Sequence, residues 1–438
     1  MRFPSSALIL ITACASHSQS AAPTPVPIEQ AERSLALARR ADSAYAAGAF
    51  EQAAQLYVES AAGWINPAEV RLNAARALAR AGQMERATSE LDQALSAGLR
   101  DPEQLTGDTT FGGLHGTSRW SGLVEKARAN SRRYRAAHAD PTKARFVTAD
   151  IDRFWNAYDL TSSQSAEEKA RIYREMYFDP GSDGLRDYYI LKIRSIPQFV
   201  STLDRHPRYY PSIRPGTGQI ASQLPAMRRI FHKMKALYED SFFPDVYFVV
   251  GRLSSAGTVS HRGLLLGIEQ ATAAPDSPRD ELSPTLRAWV RGVEALPPIV
   301  AHELIHFQQK RGGPTTLLRN ALMEGGADFI GELISGQHTN PAAHAFGNQH
   351  EEMVWRRFET AMRGTDERDW IANGGSDRVG PTWAADLGYY VGYQIAKAYF
   401  DQSADKRLAV RVLLEVQDPE QILAASGYAG RFAQAGSR

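Results

Sequence analysis

Between Glu29 and Leu99 the apolar residues recur every three to four positions in an alanine-rich background, the pattern of amphipathic helices. The pattern also repeats. AYAAGAFEQAAQLY around Gly48 aligns with ARAGQMERATSEL around Gly82, an offset of 34 positions. A fixed period of that size predicts paired helices stacked into a short solenoid. Ala47-Gly48 and Ala81-Gly82 are expected as the turns, with Phe50, Ala53, Leu56 and Tyr57 packing in one unit and Met84, Ala87 and Leu91 in the next. Two units leave an end open, and the segment from Asp101 to Ala136 is expected to cap it with a helix carrying Trp120, Leu123 and Val124.

Near Pro141 the alanine-rich pattern stops and aromatic residues become frequent, which divides the chain into 29–140 and 141–438. Helical spacing is expected around Ile151, Phe154, Trp155 and Tyr158, and then over Glu167 to Tyr177, Leu185 to Phe199 and Ile220 to Glu239. Two stretches read as strands. In 245–253, DVYFVVGRL, Val246, Phe248 and Val250 alternate, and 263–269, GLLLGIE, follows. The polar segment 271–285 is expected as a loop, as is Gly336 to Gln349, whose His338, His344 and His350 are expected at the surface. Helices resume over Glu351 to Met362 and Ala384 to Phe400. The expected fold class is mainly α within α+β: an N-terminal α-helical repeat solenoid followed by a second domain with a small β-sheet.

The balance of 50 basic and 49 acidic residues gives a net charge of +1 over 438 residues, so nothing points to nucleic acid. The one cysteine, Cys14, excludes an internal disulfide. It follows Arg2 and the apolar run Ala7 to Ala13, and Ile11-Thr12-Ala13-Cys14 resembles the lipobox of bacterial lipoproteins. That resemblance implies a signal peptide over 1–13, a lipid on Cys14 and a membrane-anchored protein of the bacterial cell envelope, facing the periplasm. An ordinary secretory signal cut near Ala15 or Ala21 is the alternative. Residues 14–28, with three prolines in PTPVP, read as a flexible linker.

Candidate chemistry is concentrated between Pro298 and Glu332. His302, Glu303 and His306 stand in the order H-E-x-x-H, and i to i+4 spacing on a helix turns both imidazoles to one face, where they can hold one zinc ion. Glu303 is placed to take a proton from a water on the metal. A chain of this composition carries such a pattern by chance roughly once in sixty, so the surroundings decide. Gly312-Gly313 is expected to end this helix and Pro314 to open the next, antiparallel one. Glu324 on that second helix, 18 positions after His306, is the third ligand. Asp328, one turn further, is expected to accept the second ring N–H of a ligating histidine. Gly325 and Gly326, inside a helix they weaken, predict a close backbone approach.

With HELIH followed by Glu324 and Asp328, the chain resembles the gluzincins, zinc metallopeptidases with H-E-x-x-H on one helix and a glutamate ligand on the next. HELIHFQQ, MEGGADFIGELISG and GYYVGYQIAKAY together are similar to bacterial predicted zinc-dependent proteases. The resemblance implies a zincin-like peptidase fold over residues 141–438, a peptide or protein substrate paired on a sheet edge, and zinc as cofactor. It also implies a downstream tyrosine that stabilises the transition state, for which Tyr390 is chosen over Tyr389 and Tyr393 on its distance from Glu324. A non-catalytic scaffold that binds partner proteins through its helical repeats is the alternative.

Overall fold

A computed structural model describes residues 27–63, 66–310, 315–374 and 379–433. The expected signal peptide, Cys14, most of the expected linker, and the Gly312-Gly313 and Pro314 signals lie outside these residues. Two helical hairpins come first: α1 (Ile28–Ala46), α2 (Phe50–Ala61), α3 (Pro67–Arg80) and α4 (Met84–Ser96), each packed on the next. Gly48 and Gly82 close the hairpins at φ of 78° and 75°, a left-handed conformation that glycine adopts without steric cost. Helix α5 (Ser118–Ala137) packs on α4 and buries Trp120, Leu123 and Val124. Two cores result, one among the hairpins and one beneath α5.

The expected linker is too long by its last residue. Ile28 is the first residue of α1 and fully buried, and its N–H donates to Asp179 Oδ1 at 3.1 Å. Ile28 and Ala31 belong to the large third core, which otherwise begins at Ala144. The first helix is therefore shared between the two parts of the chain. Arg174 pairs with Glu32 at 3.1 Å, and the Tyr189 hydroxyl donates to the same carboxylate.

The remainder is mostly helical around one four-stranded sheet, in the order β1 (Phe146–Val147), β2 (Asp245–Val249), β4 (Gly263–Gly267), β3 (Gly257–Val259). β2 runs parallel to β1 and β4, while β3 pairs antiparallel with β4. The alternation read in β2 does not separate a wet face from a dry one. Val246 to Val249 are all buried, as a parallel strand covered on both faces requires. Expected helical runs also break. Tyr189–Ile193 is a π-type turn closed by Arg194 at φ 64°, and Pro341–Gln349 is a helix where a loop is expected.

Just after β4, the fully buried Glu269 accepts the N–H groups of Gly251 at 2.7 Å and Leu253 at 2.9 Å, fixing the loop that feeds β3. Burial pushes its carboxyl up from an ordinary 4.5 to about 7. The folded chain thus holds this proton more tightly than the unfolded chain. The stabilisation is complete below the ordinary value and is lost as pH rises through about 7. Relative to Glu269→Gln, the wild type should lose up to roughly 3 kcal/mol between about pH 5 and pH 8, read by urea unfolding. A gap between the two proteins that does not move with pH contradicts this.

Candidate metal centre

Helix α6 (Leu296–Gln308) opens on Pro297 and Pro298, tolerated in a first turn whose N–H groups have no partner within the helix. It is apolar nearly all round, with Val300, Ala301, Leu304 and Ile305 fully buried, so the core fixes its rotation. That rotation brings His302 and His306 to one side. Their Nε2 atoms lie 2.9 Å apart. Helix α7 (Leu317–Ser335), capped by the Thr316 hydroxyl accepting from Arg319 N–H, brings Glu324 Oε2 to 3.1 Å from His306 Nε2 and 3.6 Å from His302 Nε2.

These three donor atoms form a triangle of the size a metal ion needs, since ligands on a tetrahedral zinc with bonds of 2.0–2.1 Å stand about 3.3 Å apart. The other nitrogen of each ring is already engaged. His302 Nδ1 lies 2.7 Å from Asp328 Oδ1, and His306 Nδ1 lies 2.8 Å from Gln309 Oε1. Acceptors behind both Nδ1 atoms hold a proton there and turn both Nε2 atoms inward, where a metal ion would displace any Nε2 proton that the neighbouring carboxylates favour. Asn340 holds the second oxygen of Asp328 at 2.7 Å. Two imidazoles, one carboxylate and oriented partners behind them suit zinc, and His302, His306 and Glu324 are the residues that would hold it. Among the described residues, no other three His, Cys, Asp or Glu side chains converge in this way.

Charge reinforces the grouping. Burial opposes ionisation of Glu324, but His306 and His302 outweigh it and hold its carboxyl well below the usual range. Burial likewise opposes a charge on His302, and the Asp328 and Glu324 carboxylates overcome it and raise its value. Glu303, next along α6, is 8 % exposed and passes beneath β3. A Cβ at Gly257 would meet Glu303 Oε1, so any side chain there would displace the carboxylate from this position. Burial pushes the Glu303 carboxyl up, while His302, His306 and Lys192 pull against it. Lys192, itself held down by burial, is a cation that faces Glu303 from the π-type turn.

Helix α8 (Leu387–Gln402) crosses α7 at backbone contact. A Cβ on Gly325 would meet Tyr393 N at 2.1 Å, and one on Gly392 would meet Ala321 O at 1.7 Å. Gly325 therefore has the close approach expected of it. Gly326 does not, since its nearest neighbour would be 3.9 Å away. The crossing places Tyr389, rather than the expected Tyr390, beside His302. Tyr390 is fully buried, its ring lies where any side chain at Gly347 would go, and it stands edge-on to His344 at 5.4 Å. Tyr389, about 100° round the helix, stacks over His302 with ring centres 6.2 Å apart. Burial, and after it the Glu324 carboxylate, raise its hydroxyl well above the ordinary value, so it stays protonated.

His344, expected at the surface, is instead buried between Tyr390 and Tyr393, and burial pushes it down to about 4. His338 pairs with Glu332 at 3.3 Å and His350 is exposed. Gln309, Asn340 and Lys192 carry no motif that would mark them in the sequence. Compared with known protein families, curated proteins and solved structures, the chain finds no match.

Proposed function

We propose that this chain is a zinc-dependent peptidase of the gluzincin type, held at the cell envelope through a lipid on Cys14. The observation that carries the reading is the buried Glu303 carboxylate beside a three-ligand group whose histidines are both oriented from behind. Bound there, zinc supplies Lewis acidity, polarising a carbonyl oxygen and lowering the pKa of water toward about 7.

The chain's own residues supply the rest. Glu303 accepts the proton of the attacking water and returns it to the leaving nitrogen. Tyr389, protonated and stacked over His302, donates to the oxyanion that develops on the carbonyl. The outer edge of β3 receives the substrate backbone. Ser260 N–H bonds Gly263 O and Gly267 N–H bonds Ala256 O, so by the alternation of an antiparallel ladder Gly257 and Val259 face away from β4. There the Gly257 N–H and both polar groups of Val259 can pair with an extended peptide, while Gly257 C=O accepts from Ser255 Oγ at 2.5 Å.

The test is hydrolysis of a degenerate peptide mixture by the zinc-loaded protein and by Glu303→Gln. Cleavage at comparable rates by both proteins would remove the basis for this reading. For the membrane anchor, no helix among the described residues is long and apolar enough to cross a bilayer. Cys14→Ala should move the protein from the membrane fraction to the soluble one, and retention on the membrane counts against lipidation.

A further inference from the structure

A cleft of about 990 Å³ lies between the N-terminal helices and the sheet, and it reaches the metal ligand His306. One side is the end of β3 and the turn after it, Val259, Ser260 and His261. The other is the C-terminal end of α4, at Ala97 and Leu99, together with α5. Its walls are tied to each other. The Arg100 guanidinium lies over the Tyr134 ring at 3.6 Å and donates to His261 O at 2.8 Å. The floor is aromatic, with Tyr134 of α5 edge-on to Phe242 at 6.0 Å and Phe242 against Phe307 at 5.4 Å. Phe307 is the residue after His306, so the helices and the metal helix share one packed seam.

Direction along β3 gives the cleft an occupant. Gly257, at one end of the strand, touches Glu303, and Val259 to His261, at the other, line the cleft. At about 3.3 Å per residue, a peptide paired with β3 is carried from the reacting carbonyl to the helices within about four residues. We propose that the N-terminal helical module forms the far subsite of the substrate cleft: an extended polypeptide pairs with β3, and its continuation lies between the end of α4 and α5. The module thus selects for long, unfolded segments. This rests on the hydrolytic reading only for where the scissile bond lies.

Ala97 and Ala136 line the cleft from the helical side and are exposed, so a larger side chain at either fills the cleft without entering a core. The probes are fluorescence-quenched degenerate peptides, one set of about four residues and one of about twelve, extended at both ends. On the full zinc-loaded chain, Ala97→Trp and Ala136→Trp should each lower kcat/KM for the long set about tenfold, equivalent to about 1.4 kcal/mol, and leave the short set unchanged. The unchanged short set also shows that the variants fold. Equal losses on both sets, or no loss on the long set, overturn the proposal. Should neither set be cleaved by the wild type, the peptidase reading falls by itself. Binding of the labelled long set to Glu303→Gln then decides the subsite: binding weakened about tenfold by Ala97→Trp supports it, and unchanged or absent binding overturns it.

Discussion

Glu303→Gln is expected to slow peptide hydrolysis by about a thousandfold while one zinc ion per chain remains bound. The substitution keeps the size and planarity of the side chain, and the space beneath Gly257 that admits Glu303 still accommodates it. What disappears is a group able to accept a proton. Both histidines keep their acceptors, Asp328 and Gln309, and Glu324 is untouched, so the three residues proposed to hold zinc keep their arrangement. The pair of measurements, metal content and rate, separates a catalytic carboxylate from a merely structural one. A variant that keeps its zinc and its rate leaves the chain a scaffold whose peptidase-like site serves binding.

The second large effect concerns Tyr389. Its replacement by Phe should lower kcat about a hundredfold with little change in KM, as expected when a donor acting only in the transition state is removed. Tyr390→Phe should leave the rate within about twofold, because a hydroxyl remote from the reacting atoms contributes nothing to that state. The contrast is informative because the two residues are adjacent and chemically identical. The reverse outcome, with Tyr390 essential and Tyr389 dispensable, would mean that α8 presents a different face to His302.

That pair also marks where the sequence stops being informative. The pairs His302 and His306, and Glu324 and Asp328, were legible because i to i+4 spacing sets each on one helix face, with Glu303 beside the first, and the structure brings these five together. The choice between Tyr389 and Tyr390 depends instead on how α8 is rotated against α7, which the contact of Gly392 on Ala321 determines. No local spacing encodes it. Gln309 was hidden for a related reason. The helix stops at Gln308, and the residue after it turns back to His306 from an extended backbone, where helical spacing no longer applies.

In the fold, long helices and the two buried strands β2 and β4 could be read, and the short strands β1 and β3 could not. β3 is three residues with a glycine, too short for alternation to register. β2 is buried on both faces, so its alternation carried no orientation. His344 looked like a surface residue because only the packing of Pro341–Gln349 against α8 makes it internal.

The metal itself is the most direct test. A crystal of the zinc-loaded protein, measured with anomalous scattering on both sides of the zinc absorption edge, should show one zinc ion bonded to His302 Nε2, His306 Nε2 and Glu324 at about 2.0–2.2 Å. Loss of that peak in Glu324→Ala should follow. A zinc-soaked crystal with no anomalous peak between α6 and α7, or a peak whose nearest ligands are other residues, would contradict the account.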